Sequence, residues 1–277
     1  MKKHILTLVT SIILFAFLLS ACTNQANEVT PSKQEKVSSD STVESHDDSS
    51  NHANNENRNT SDQSTQIEKE KDLDFIDIKE DSSISVLVNK QHKLAENYAP
   101  DDLVTVDVPT VLENPEVNQL RKEAADALKK MFDHANNSGI YLYARSGYRS
   151  YQTQVGLFNS YAERHGQEAA NRYSARPGES EHQTGLAIDV TSESVDFQLT
   201  EKYGDTKEGK WLVDHAHEFG FIIRYPENME HITGYTYEPW HLRYLGVNLA
   251  TKVKESNLTY EEFLVEMGFL DEADIKE

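Results

Sequence analysis

The feature that most restricts this chain is a break in composition. From Thr23 to about Lys79 the sequence is dominated by Asn, Ser, Gln, Glu, Asp and Thr, and within that stretch no aromatic residue occurs before Phe75. Such a segment cannot bury enough apolar surface to offset the entropy of ordering it. It is expected to be a flexible acidic spacer; a coil of about 50–55 residues has a root-mean-square span of roughly 40 Å. Folding is then confined to about Ser82 through Leu270, about 190 residues, which suffices for a sizeable core. The same partition explains why apolar residues make up only 37% of the chain, below the roughly 45–50% of an average domain.

Ahead of the spacer lies an address. Lys2 and Lys3 precede an almost wholly apolar run, Ile5 to Ala21, of about 17 residues, shorter than the about 20 a spanning helix needs. That fits a secretory signal. It ends in Leu19-Ser20-Ala21-Cys22, which resembles a bacterial lipoprotein signal in which Cys22 is diacylated and becomes the mature N-terminus. The competing reading is an uncleaved anchor. Either way the chain is expected outside the cytoplasmic membrane, lipid-anchored on its outer face through Cys22. The expected organisation is a signal peptide over 1–21, a lipidated Cys and spacer over 22–81, and one domain over 82–277. Lys and Arg number 27 against 47 Asp and Glu, a net charge of −20. That argues against nucleic-acid partners and against a polybasic membrane-surface protein. A single cysteine excludes an intrachain disulfide and a Cys-rich zinc module. The domain is expected to act as a monomer.

Within the domain, Ile84–Val88 and Val104–Val108 read as strands. Pro115 to Ser138 reads as a helix, with Val117, Leu120, Ala124, Leu128, Met131 and Ala135 at helical spacing and Gly139 as its stop. Further strands are expected at 140–144, 186–190, 221–225 and 240–244, and helices at 151–164, 210–219 and 260–267. The irregular alternation predicts an α+β fold with a small, largely antiparallel sheet flanked by helices.

The chemistry concentrates in three segments. Ser180-Glu181-His182-Gln183-Thr184-Gly185 is a polar loop leading into Leu186-Ala187-Ile188-Asp189-Val190, so Asp189 sits inside an apolar strand. A carboxylate there is costly unless paired or bound to a metal. Glu238-Pro239-Trp240-His241 adds a second histidine beside an acid. His182, Asp189 and His241 make a two-histidine, one-carboxylate set, the pattern of a catalytic zinc with an open position. Glu238 is then placed to act as general base. Ser146-Gly147-Tyr148-Arg149-Ser150 follows the 140–144 strand, and Arg149 at a sheet end can stabilise a developing oxyanion. Taken singly, a hydrogen-bonded His–Asp pair and a solvated arginine explain these residues as well. The histidines at 46, 52, 134, 165, 215, 217 and 231 read as linker, packing or capping residues. The aromatics Tyr235, Tyr237, Trp240 and Tyr244 suit a substrate groove and core packing equally.

In order, Ser146–Ser150, Gln154, Pro177–Asp189, Trp211-Leu212, Phe219-Gly220-Phe221 and Glu238–His241 closely resemble the VanY-type zinc D-alanyl-D-alanine carboxypeptidases and the related L,D-carboxypeptidases. The resemblance spans about residues 87–246, nearly the whole domain. It implies one zinc ion held by His182, Asp189 and His241, with Glu238 as base and Arg149 as oxyanion stabiliser. Gln154 and Ser180 then help hold the terminal D-alanine, with Ser146 and Trp240 as further candidate contacts. The implied partner is a peptidoglycan stem peptide and the implied fold is a small antiparallel sheet with flanking helices. D,D specificity is the first expectation and L,D specificity on tetrapeptide stems the alternative. A non-catalytic wall-binding lipoprotein would lack a ligand or the base, and none is missing. Nothing in the sequence suggests the processing segments of a Hedgehog-like signalling domain.

Overall fold

The computed structural model describes residues 73–275. The signal, Cys22 and the spacer up to residue 72 lie outside the described residues. Ordered packing begins before Ser82, the predicted boundary. Leu73, Ile76 and Ile78 are buried in a cluster with Leu249, Val253, Tyr260, Phe263 and Leu264. Three apolar side chains among acidic neighbours were too few to register in the composition of the segment, yet they suffice to dock it.

The domain centres on a four-stranded antiparallel sheet in the order β3-β4-β6-β5, made of β3 Tyr143–Ser146, β4 Ala187–Thr191, β5 Phe221–Tyr225 and β6 Glu238–Tyr244. A separate antiparallel pair joins β1 Leu103–Thr105 to β2 Gln119–Arg121. The class is α+β, as predicted. Strand β4 is buried along its whole length. Ile188 and Val190 enter the core with Leu242 of β6, against Leu128 and Met131 of the long helix α1, Lys122–Asn137. Helix α2, Tyr151–His165, starts at Ser150, whose hydroxyl accepts the Thr153 N–H. Short helices follow at α3 Gln167–Tyr173, α4 Lys207–His215 and α5 Glu230–Thr233. The chain closes with α6 Val247–Ser256 and α7 Tyr260–Glu266, the latter begun by a reciprocal Thr259/Glu262 cap.

Two predicted elements differ. The helix expected from Pro115 starts only at Lys122, because residues 115–118 form a turn and Gln119–Arg121 pair as β2. Their carbonyls serve a tertiary purpose: Val117 O accepts the Gly147 N–H at 2.6 Å and Gln119 O accepts the Tyr148 N–H at 2.7 Å. Those bonds override the helical spacing of Val117 and Leu120. Residues 85–88 are buried and Ile84 partly so, as in a strand, but among the described residues the run pairs with no strand. Side chains satisfy its carbonyls instead: Arg243 donates to Ile84 O and Val86 O, and the Tyr260 hydroxyl donates to Ser85 O. The remaining predicted elements are present with ends shifted by a few residues. Helices α3, α5 and α6 were not anticipated.

Gly147 is required by this arrangement. A Cβ there would press into the Gln119 carbonyl oxygen, and would lie 3.0 Å from the Val117 oxygen and 3.3 Å from Ile188 Cδ1. Backbone atoms fixed by the β2 region cannot move aside cheaply. Gly147→Ala is therefore expected to destabilise the fold by about 1–3 kcal/mol, the usual cost of forcing atoms into a packed site. A shift of the urea midpoint at unchanged slope is the expected reading, and an unchanged midpoint would contradict the close approach.

Candidate metal centre

The centre is set by the pairing of β4 with β6, which places Asp189 directly opposite His241. On its other side β4 meets β3 with Asp189 opposite Ser146, beside an irregularity between Ala144 and Ser146. Such a break re-aims the strand that leads to Arg149. His182 arrives from a one-turn 3-10 helix, Glu181–Thr184, that Gly185 ends in the left-handed region at φ 67°. His182, Asp189 and His241 are each 4% exposed.

Each histidine has one ring nitrogen occupied and one turned inward. His182 Nδ1 lies 2.7 Å from the Gly147 carbonyl, which only accepts, so Nδ1 carries the proton and Nε2 is free. Nε2 faces Asp189 Oδ2 at 3.6 Å. His241 uses the opposite nitrogen: Nε2 bonds Glu181 Oε2 at 3.3 Å, and Nδ1 faces Asp189 Oδ1 at 3.3 Å. The two rings stand at 80° with centroids 4.9 Å apart. One ligand atom from each of the three residues lies within 4.8 Å of the others. Asp189 Oδ1 is buried without a hydrogen-bond partner. An orphaned carboxylate oxygen and two inward ring nitrogens form a donor set that a divalent cation satisfies, and nitrogen and oxygen ligands of this kind suit zinc.

The electrostatics agree with that reading. Burial, reinforced by Arg149, pulls His182 down to about 3, so its ring is neutral. His241 is pushed up to about 9, because the Asp189 and Glu181 carboxylates outweigh its burial. The extra proton they attract belongs on Nδ1, the position a dication takes over. Asp189 stays below its usual range: burial raises it, but His182, His241 and Arg149 prevail. Glu238 Oε2 lies 3.6 Å from His241 Nδ1. Burial raises the Glu238 carboxyl to about 7 against the pull of His241, which suits proton transfer near neutral pH.

Arg149 follows the Gly147 turn, and its Nη1 donates to Gln154 Oε1 at 2.7 Å. Gln154 is 1% exposed, and its Nε2 donates to the Ala175 carbonyl. Gln154 thus supports Arg149 from a buried position. Ser180 is 5% exposed at the entry to the 3-10 turn. Ser146 is half-buried, and Trp240 packs against the core cluster. Tyr235 is buried and stacks on Tyr225, while the Tyr244 hydroxyl donates to Glu123, so both serve packing. His134 and His215 pack around Trp211, away from the ligand set.

Two acids were missed. Glu116 accepts the Ser150 N–H at 2.7 Å and the Thr153 hydroxyl at 2.9 Å, fixing the turn after Arg149. Glu181 accepts from His241 and from two buried arginines. No local spacing signals either role, because every one of these partners lies at least 34 residues away in sequence.

A family profile described as VanY, D-alanyl-D-alanine carboxypeptidase, matches residues 117–247. YodJ of Bacillus subtilis (strain 168) is 50% identical over 187 residues, covering 67% of this chain and 68% of that one. The solved LdcB LD-carboxypeptidase is 50% identical, with a TM-score of 0.64 over 66% of this chain and 86% of that one. The E175A mutant of the vancomycin-resistance D,D-pentapeptidase VanY, solved in complex with Zn(II), is 31% identical. Its TM-score is 0.53 over 67% of this chain and 99% of that one.

The geometry makes a direct forecast. His182→Ala, Asp189→Ala and His241→Ala proteins should each fail to retain zinc through dialysis, measured by elemental analysis, whereas the wild type retains one ion per chain. Zinc should raise the melting temperature of the wild type alone, since only a ligand bound by the folded state stabilises it.

Proposed function

The chain belongs to the VanY D-alanyl-D-alanine carboxypeptidase family, and on that basis we propose that it removes the terminal D-alanine from peptidoglycan stem peptides. The observation that carries this reading is the buried Asp189 carboxylate, its Oδ1 facing His241 Nδ1 and its Oδ2 facing His182 Nε2, with Glu238 beside His241. Zinc held by His182, Asp189 and His241 would supply a Lewis acid and lower the pKa of water at that position. Glu238 takes the proton of the attacking water and returns it to the departing amine of D-alanine. Arg149, steadied by Gln154, faces the carbonyl oxygen and stabilises the charge that grows on it. Glu116 keeps the turn carrying Arg149 in place through Ser150 and Thr153.

Of the two specificities, the likeness to LdcB favours L,D cleavage, in which a tetrapeptide stem loses its last residue. The likeness to VanY and the description of the family profile support the D,D reading, with a pentapeptide stem as substrate. Both use the same residues. Lipidation at Cys22 and the acidic spacer, both outside the described residues, would hold the domain on the outer face of the membrane with reach toward the wall.

Two experiments test this. Glu238→Gln should keep its zinc and lose roughly 10²–10⁴ in kcat, the scale of general acid–base catalysis; near-normal turnover with zinc bound would remove Glu238 from the mechanism. Zinc-loaded protein incubated with tetrapeptide and pentapeptide muropeptides should release D-alanine from the tetrapeptide, and a chelator should stop it. Release from the pentapeptide alone would assign D,D specificity, and release from neither would overturn the carboxypeptidase reading.

A further inference from the structure

A cluster of buried charges stands behind the candidate metal centre. Glu181, Arg224 and Arg243 have fully buried side chains, and that of Glu261 is 1% exposed. Glu181 Oε1 accepts Arg224 Nε and Arg243 Nη1, each at 2.8 Å. Its Oε2 is left for His241 Nε2. The rest of Arg224 forms a two-pronged pair with Glu261 of α7, Nη1 to Oε2 at 2.8 Å and Nη2 to Oε1 at 2.6 Å. Arg243 spends its other donors on the carbonyls of Ile84, Val86 and Tyr244. Asn89 adds a bond to Glu261 Oε1 at 3.3 Å.

We propose that Glu181 is a positioning residue for the metal centre: its carboxylate fixes His241 as the tautomer protonated at Nε2, leaving Nδ1 to ligate, and the Arg224–Glu261 pair with Arg243 holds that carboxylate in place. This rests on the reading of His241 as a ligand and extends it outward.

The argument is one of charge and valence. Two carboxylates and two guanidinium groups balance, so the cluster needs no charge from His241. With two arginines on it, Glu181 stays ionised despite complete burial. An ionised carboxylate only accepts hydrogen bonds, so the proton in the His241–Glu181 bond belongs to Nε2. The Nδ1 lone pair is then directed at Asp189. His182 is fixed by the same logic in mirror form, its Nδ1 proton given to the Gly147 carbonyl and Nε2 left free. Stability alone does not account for the cluster, because well-packed apolar side chains often replace buried ion pairs at no loss. Orienting a metal ligand does account for it, since the partner of the second ring nitrogen sets tautomer and orientation. Glu261, Asn89, Ile84 and Val86 lie outside residues 117–247, so the outer half of this support comes from the flanks of the domain rather than from the part the family profile matches.

Glu181→Gln is the informative change. The amide oxygen must face the two arginines, which only donate. The amide NH2 then faces His241 Nε2 and forces it to accept, which moves the ring proton to Nδ1 and blocks the ligand position. Chelator competition should show zinc bound about 10–100-fold more weakly, the usual effect of losing such a partner, with kcat reduced and KM little changed. Glu261→Gln should weaken zinc in the same direction by a smaller factor. In the zinc-loaded wild type, imidazole 1H–15N spectra should show the His241 proton on Nε2, slow to exchange. A folded Glu181→Gln protein with wild-type zinc affinity, or a wild-type spectrum with the proton on Nδ1, overturns the proposal. Should Glu181→Gln fail to fold, the wild-type spectrum and Glu261→Gln still decide. His241→Ala that keeps its zinc would instead sink the ligand reading itself. Zinc loss in His241→Ala with no change in Glu181→Gln would sink this inference alone.

Discussion

Everything at the centre depends on the cross-strand pair Asp189–His241. The two residues face each other on adjacent antiparallel strands buried in the middle of the sheet. Side chains alternate along a strand, so Ile188, Val190 and Leu242 fill the apolar core while Asp189, His241 and Arg243 occupy the other face. A slip of one residue would exchange these sets and bury no compensated charge at all. The apolar face against α1 therefore fixes the register, and the register fixes the ligands. The chemistry of the site is inherited from hydrophobic packing one residue away on each strand.

A charged sheet face carries an obligation that an apolar one does not. Each ionised group removed from water needs a partner with good geometry, or its desolvation is left uncompensated. The chain meets this by dividing its buried charges into two sets. Glu181, Glu261, Arg224 and Arg243 close on themselves through direct hydrogen bonds. Asp189, His182 and His241 do not close in this way: a carboxylate and two ring nitrogens converge within 4.8 Å of one another, and Asp189 Oδ1 has no well-aligned hydrogen bond. The contrast separates a structural ion cluster from a site built for a ligand. It also explains why two neighbouring histidines titrate in opposite directions, His182 down to about 3 beside Arg149 and His241 up to about 9 between carboxylates.

What could be read in the sequence was what is local or carried by a strong motif. The strand around Asp189 reads as an apolar run with one acid, and Phe221–Tyr225 as an apolar run that follows the helix-ending Gly220. Asp189 stands out as an acid in an apolar strand, whereas His182, His241, Glu238 and Arg149 are legible through the ordered motifs shared with the family. The errors fall where distant backbone decides. Residues 117–121 have helical spacing but run from a turn into β2 under the Gly147 turn, and 84–88 reads as a strand but is anchored by Arg243 and Tyr260. Gln154 was legible as part of the motif, yet only its two bonds, to Arg149 and Ala175, show what it supports. Glu181 stood in the motif beside His182 and was still passed over, because its partners are 43, 60 and 62 residues further along the chain.

The flanks of the domain belong in the same account. The segment from Leu73 to Val88 and the helices α6 and α7 share one apolar cluster, and both reach the charged cluster, through the Ile84 and Val86 carbonyls and through Glu261. Their contribution is to close the charged face of the sheet against water, where the arginine–glutamate bonds are strongest because the surroundings are least polarisable. A core without these two flanks would leave Arg224 without Glu261 and Arg243 without two of its acceptors. The carboxylate that orients His241 would then be shared with half-satisfied guanidinium groups, free to swing toward solvent. The early start of the fold at Leu73 and the unanticipated helix α6 are therefore part of how this sequence holds a metal ligand in one orientation.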